Sequence, residues 1–154
     1  MLKRIALLAP LLVACGGGKP ITTPVPSDPN QAITLFLNAV KNKDIKGMGD
    51  VWGNEQNLEI NLVTPDQFRL RVYPLQIYLS NKGFRIMEGP TPVNGSSSRR
   101  TYKVELQRTG CTFTVTLTVV QMKRGGWLFY GTDLTDVSNA SKTCRIEPAD
   151  AAKP

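Results

Sequence analysis

The sequence predicts an α+β domain in which N-terminal helices pack on one face of an antiparallel sheet of about four strands. Two stretches, at residues 28–31 and 64–67, carry the capping signals of helix N-termini. Residues 111–119 instead alternate between apolar and threonine side chains, which is the period of a strand with one buried face. Helical segments come first and a meander of strands follows, an order typical of this fold class.

The first helix is marked by the residues at its start and by a stripe of apolar side chains. Asp28 can cap it, Pro29 suits the first helical position, and Gln31 stands where a capping-box partner belongs. The apolar residues that follow have helical spacing and predict the buried face: Ile33, Phe36, Leu37 and Val40.

Two further helices are predicted before the strands. The second begins at Asp44, ends at Gly53, and has one apolar side formed by Ile45, Met48 and Trp52. The third begins at the cap Thr64 and runs to Gly83, with an inner stripe of Phe68, Val72, Leu75 and Leu79. Because Pro74 lacks a backbone donor and crowds the preceding turn, we expect a kink or a two-part helix there.

After Gly83 the period changes from helical to alternating. Strands are predicted over residues 84–88, 100–108, 111–119 and from 127 to 130, with a long loop over 89–98. The third strand has the clearest pattern, and its expected core face is Cys111, Phe113, Val115, Leu117 and Val119.

The N-terminus has the features of an export signal. Lys3 and Arg4 precede an apolar run over residues 5–13, which is shorter than the roughly 20 residues that a membrane-spanning helix needs. The stretch Leu12-Val13-Ala14-Cys15 resembles the bacterial lipobox, in which the cysteine is lipidated and becomes the new N-terminus. An ordinary secretory signal with an incidental cysteine is the alternative.

The lipobox hypothesis predicts both the division of the chain into segments and its location in the cell. It predicts a signal peptide over residues 1–14, the lipidated Cys15 with a flexible tether to residue 27, a domain over 28–147, and a tail over 148–154. The domain would then be anchored to a membrane of the cell envelope. Since Gly16 rather than Asp follows the cysteine, we expect the outer membrane, facing the periplasm, if the cell has one.

The odd number of cysteines, three, is consistent with a lipidated protein of the cell envelope. Lipidation of Cys15 would leave Cys111 and Cys144, which in an oxidising compartment favour one disulfide. Two separate buried thiols are the alternative. A metal site is less favoured, because the chain has no histidine and the two cysteines are widely spaced. The sequence therefore predicts no metal and no cofactor.

The charge favours anionic neighbours. Of 19 basic side chains, Lys3 and Arg4 lie in the signal, so the processed chain keeps 17 against 12 acidic ones. No basic run is interleaved with aromatic residues, so nucleic acid is not expected as a partner. Six basic residues are candidates for a basic sheet edge that meets lipid phosphates or an acidic partner, or for a solvated edge protected from pairing: Arg99, Arg100, Lys103, Arg108, Lys123 and Arg124.

The segment "ITLFLNAVKNKDIKGMGDVWG", a helix that leads through a Lys-Asp step into a short helix ending in tryptophan, resembles the opening of the nuclear transport factor 2-like superfamily. The later segment "LRVYPLQIYLSNKGFRI" and the strands after it also suit that pattern, over residues 28–135 in all. The resemblance implies a curved sheet wrapped around helices to make a cone. It leaves the function open, because the superfamily includes both enzymes and non-catalytic domains.

Catalytic members of the superfamily place a base and a hydrogen-bond donor inside the cone. The candidates here are Asp133 as base, with Tyr73 or Tyr78 as donor, although none of them can be registered onto a catalytic motif. Packing tyrosines and a turn-forming aspartate are the simpler interpretation. We therefore favour a non-catalytic binding or adaptor domain, with an envelope protein or a small apolar ligand as partner. A cone-pocket isomerase or dehydratase and a structural envelope component are the alternatives.

Overall fold

The computed structural model describes residues 24–144, apart from the side chains of Leu134, Ser141 and Lys142. Within residues 24–144, four helices precede a four-stranded antiparallel sheet, and a fifth helix follows it. The predicted α+β class is therefore confirmed. The predicted signal peptide, the lipidation site Cys15 and the C-terminal tail lie outside the described residues.

The first two helices begin where their caps predict. Helix α1 spans Pro29–Lys41, and the Asp28 carboxylate accepts hydrogen bonds from the backbone N–H groups of Asn30 and Gln31. Helix α2 spans Ile45–Asp50 and is capped by Asp44. It ends before the predicted Gly53 because residues 51–53 run along the edge of the sheet instead, as described below.

The third predicted helix is present but ends at Tyr78 rather than at Gly83, because Lys82 and Gly83 already pair with β2. A short helix that the sequence did not predict precedes it. Helix α3 spans Glu59–Leu62, and α4 spans Pro65–Tyr78 with the capping box of Thr64 and Gln67 in place. Helix α4 is continuous through Pro74, so the expected two-part helix is wrong, whereas the expected kink stays a prediction. Pro74 has no N–H to donate to the carbonyl of Leu70. Both residues lie on the exposed side of α4, where water can donate a hydrogen bond to that carbonyl.

The four strands form a meander in the order β1-β2-β3-β4. Their bounds are Gly83–Pro92 for β1, Arg99–Arg108 for β2, Cys111–Gln121 for β3 and Trp127–Thr132 for β4. Strand β1 is longer than predicted and includes part of the expected loop, because two register irregularities between Ile86 and Thr91 keep it paired with β2.

Each face of the sheet buries apolar side chains. The inner face packs on α1 and α5, and Phe36 of α1 stacks on Phe129 of β4 with ring centroids 3.6 Å apart. Val120 and Leu128 follow or precede the inward-facing Val119 and Phe129 along their strands, so they point to the opposite face of the sheet. There they form a smaller apolar cluster with Leu58, Met122 and the partly buried Val25.

Val25 belongs to a segment that was predicted to be flexible tether. Residues 24–27 instead pack on the sheet, and the carbonyl of Pro26 accepts a hydrogen bond from the Trp127 N–H at 2.7 Å. The edge strand β4 has backbone N–H groups without a partner strand, and the Pro26 carbonyl accepts a hydrogen bond from one of them. The packed domain therefore begins before Asp28.

The last described helix, α5, spans Leu134–Thr143 and was not predicted, since only three of its ten residues, Leu134, Val137 and Ala140, are apolar. Cys144 follows it and is joined to Cys111 at the start of β3 by a disulfide with an S–S distance of 2.01 Å. Arg108, the last residue of β2, is buried beside this bridge. It is therefore not part of an exposed basic edge. Among residues 24–144, no helix is long and apolar enough to cross a membrane.

Candidate ligand-binding cavity

A cavity of about 660 Å³ lies between α4, the segment that follows α2, and the end of β4. Its apolar lining comes from Trp52, Pro74, Leu75 and the ring of Tyr130, and its charged lining comes from Glu55, Glu59 and Arg71. The volume is that of pockets which hold small organic molecules. Mixed apolar and charged walls suit a ligand that has both an apolar body and polar groups.

The edge of β4 positions one wall of this cavity. The Phe129 N–H donates to the Val51 carbonyl at 2.9 Å, and the Gly53 N–H donates to the Phe129 carbonyl at 3.0 Å. The Trp52 indole N–H then donates to the Tyr130 carbonyl at 3.3 Å. Only glycine fits at position 53, because an added Cβ would lie 2.8 Å from the Leu58 Cα. This wall is therefore fixed by the backbone.

Both glutamates that line the cavity are paired with arginines. Glu59, at the start of α3, accepts a hydrogen bond from Arg71 of α4. Glu55 accepts a hydrogen bond of 3.0 Å from the Arg99 Nε, and the Arg99 guanidinium also lies 4.1 Å from the centre of the Tyr130 ring. Each carboxylate is thus held in position by a neighbouring guanidinium.

The pKa of Glu55 is lowered from its ordinary value of 4.5, first because its own backbone N–H donates to the carboxylate and then because of Arg99. A general base that works near neutral pH needs the opposite shift. The hydroxyl of Thr132, another lining residue, donates to the Thr116 carbonyl at 2.9 Å. The described lining therefore offers charges and hydrogen-bond groups that a bound ligand can contact.

The structure does not bring the three predicted pocket residues together. Tyr73 lines a separate depression between α2 and α4. Tyr78 lies half-exposed at the end of α4, where its backbone carbonyl accepts a hydrogen bond from Arg108. Asp133 caps α5 by accepting from the Thr135 N–H at 2.8 Å, and it is exposed. Asp133 is therefore a helix cap rather than the expected base or turn former, and the predicted grouping is corrected.

Sequence analysis missed all three charged residues of the lining, Glu55, Glu59 and Arg71. Glu59 and Arg71 are 12 positions apart on different helices, so no helical or strand period connects them. Glu55 meets Arg99 only because the segment after α2 folds over the end of β2. The one local signal was the stretch "GNEQNLEINL", which has two acidic residues and no assigned element. No group of three His, Cys, Asp or Glu side chains able to hold a metal occurs among the described residues.

No protein-family model matches the chain, and no curated protein matches it. Among solved structures, an LEH-like epoxide hydrolase of M. tuberculosis is similar with a TM-score of 0.34 and 16% sequence identity. The alignment covers 74% of this chain and 93% of that protein. A likeness of this size supports no conclusion about the activity of this chain.

Proposed function

We propose that this protein is an envelope lipoprotein, anchored through Cys15, whose nuclear transport factor 2-like domain binds a small amphipathic ligand without chemical turnover. The cavity beside β4 is the observation that carries the binding role. Its apolar walls can contact the body of a ligand, and Arg71, whose side chain is 55% exposed, can meet an anionic group. The lipobox at Cys15 supports the anchor.

The state of the two cavity glutamates supports binding over catalysis. A carboxylate that acts as a base is usually raised in pKa by burial in an apolar site. Here Glu55 has a lowered pKa, and Glu59 is hydrogen-bonded to Arg71. The proposal therefore assigns both glutamates to holding the arginines in place, so that ligand selection depends on the shape of the cavity and on the arginine side chains.

The ligand can be sought directly in protein purified from the cell. Native mass spectrometry should detect a bound molecule of a few hundred daltons, which organic extraction then identifies. Gly131→Leu should exclude it, because Gly131 lines the cavity and an added Cβ there meets no atom within 4 Å. Thr112→Leu, on the exposed face of β3, is the matched control and should retain the ligand. Equal occupancy in both variants contradicts the assignment of the cavity.

Turnover is the result that would overturn the binding role. The wild-type protein should convert no substrate in a screen of epoxides, small carbonyl compounds and hydroxy acids. If one substrate is converted, Glu59→Gln tests the cavity and Asp133→Asn tests the exposed cap. Loss of turnover in either variant, with unfolding unchanged, would replace the binding role by catalysis.

The anchor has its own test. Metabolic labelling with a fatty acid should mark the wild-type protein, whereas Cys15→Ser should remain an unlabelled precursor. Label retained in Cys15→Ser would contradict the lipobox. In a cell with two membranes, fractionation should place the wild type in the outer one.

A further inference from the structure

We propose that the turn between β3 and β4 faces the lipid surface and that Lys123 and Arg124 bind anionic lipid headgroups there. The proposal rests on the anchor at Cys15. It adds an orientation and a second contact with the membrane, neither of which lipidation by itself provides.

The path of the chain brings the anchor to this turn. The described structure begins at Pro24, and Val25 packs so closely on the turn that a Cβ added to Gly126 would lie 2.6 Å from the Val25 Cγ1. The Pro26 carbonyl accepts the Trp127 N–H at the start of β4. The anchored chain therefore reaches the domain beside residues 122–126.

The length of the free tether favours the same end of the sheet. Between Cys15 and Pro24 the chain can extend at most about 30 Å. Strand β3, with 11 residues, is about 34 Å long, so the opposite end of the sheet lies beyond this reach. A tether packed on β4 therefore favours the turn end of the sheet as the end that faces the membrane.

The turn presents positive charge on a fixed backbone. The Lys123 N–H donates to the Glu55 carbonyl at 2.9 Å, and the Met122 N–H donates to the Gly126 carbonyl at 3.0 Å. Lys123 and Arg124 are exposed, and neither forms an ion pair within residues 24–144. The nearby acidic Glu55 is already neutralised by Arg99. Basic residues near an anionic membrane bind its surface with about 1 kcal/mol each, which is about a fivefold preference.

The test is a lysine footprint on the protein as purified from cell membranes. It is placed in vesicles of phosphatidylcholine alone or of phosphatidylcholine with phosphatidylglycerol, acetylated briefly, and digested for mass spectrometry. Acetylation of Lys123 should fall about fivefold in the anionic vesicles. Lys82, at the opposite end of the sheet, should react equally in both. Salt at about 1 M should restore the reactivity of Lys123, because it shortens the range of charge interactions to about 3 Å.

A pair of arginine variants isolates the charge. Arg124→Gln should weaken the Lys123 protection, because one of the two charges is lost, whereas Arg69→Gln, which removes an exposed arginine from α4, should leave it unchanged. Equal acetylation of Lys123 in the two vesicle types overturns the proposal, as does protection in whole envelopes that is absent from purified vesicles, because a protein partner would then cover the turn. The mass of the peptide that carries Cys15 reports lipidation in the same spectra. Failure of the anchor is thereby distinguished from failure of the orientation.

Discussion

Strand β2 begins and ends with an arginine, and its two ends hold these arginines in opposite ways. At the first end, Arg99 has a side chain 33% exposed, pairs with the Glu55 carboxylate and covers the Tyr130 ring. At the last end, Arg108 is only 6% exposed and donates to the backbone carbonyls of Ser80, Cys144 and Tyr78. The guanidinium of Arg108 also packs over Phe113 at 4.2 Å.

The difference indicates what each end of the sheet does. The Arg108 end joins α4, β2 and the residue after α5 through one buried side chain, and the disulfide lies beside it. The Arg99 end is held by a solvent-accessible ion pair, which contributes little to stability but can exchange partners. That end carries a wall of the cavity and the turn proposed to meet lipid. We infer that one end maintains the fold, so that the other can be devoted to binding.

The largest expected effect comes from breaking the covalent closure. The double variant Cys111→Ser/Cys144→Ser should lose about 3–4 kcal/mol of unfolding free energy, because the bridge closes a loop whose ends are 33 positions apart. Urea unfolding measures the loss. Thr112→Ser, an exposed substitution on β3, is the control and should leave the unfolding free energy unchanged. Free thiols that react with an alkylating reagent in the native protein would contradict the prediction.

The buried arginine should have the next largest effect. Arg108→Met keeps an apolar stem but removes the donors to three carbonyls, and we expect it to cost about 3 kcal/mol. Arg99→Met should cost less than about 1 kcal/mol. The Cys144 carbonyl is one of the three acceptors of Arg108. The losses of unfolding free energy caused by removing the disulfide and by Arg108→Met should therefore sum to more than the loss in the combined variant. Similar losses of unfolding free energy in Arg108→Met and Arg99→Met would contradict the proposed difference between the two ends of β2.

Local patterns in the sequence were sufficient to predict the fold class but not the different environments of Arg99 and Arg108. The caps at Asp28 and Thr64 and the alternation along β3 depend on neighbouring residues, and the structure has all three. The burial of Arg108 depends on carbonyls 28 to 36 positions away, which no local pattern records. In sequence, Arg99 and Arg108 are the same residue type on the same strand.

The candidate site failed to emerge from the sequence for the same reason. Residue type led to Tyr73, Tyr78 and Asp133, whereas the cavity is formed by side chains that three separate segments bring together. The strongest local signals in a sequence come from helix caps and buried faces. The cavity lies where such signals are weak, and its charged residues acquire their partners only in the folded chain.

The ion pair at the first end should show a small effect that depends on pH. Glu55→Gln should cost about 0.5–1 kcal/mol at neutral pH, because it removes the partner of Arg99. The pKa of Glu55 is lowered in the fold, so its contribution is present above its ordinary value of 4.5 and is lost as pH falls through the lowered value. Urea unfolding of the wild type and of Glu55→Gln should therefore converge in acid. A difference that persists well below pH 4.5 would show that the side chain acts through packing rather than charge.

The smallest effect is expected at Tyr102, which lies along β2 between the two arginines. Its ring is buried, and its hydroxyl has no hydrogen-bond partner among the described residues. Burial, aided by Asp28, raises the pKa of Tyr102 to about 12. Tyr102→Phe removes the unpartnered hydroxyl and keeps the ring, so the unfolding free energy at neutral pH should change by less than about 0.5 kcal/mol.

The alkaline range separates this variant from the wild type. Because the phenol ionises at its ordinary pKa of 10.0 in the unfolded chain and at about 12 in the fold, the wild type should lose stability as pH rises between these values. Tyr102→Phe should lack that loss, whereas Tyr130→Phe, which changes a half-exposed ring, should keep it. Unfolding at several alkaline pH values, with ultraviolet titration of the tyrosines, makes the comparison. If Tyr102→Phe follows the wild type, the middle of β2 is open to water and the two arginines do not flank a closed core.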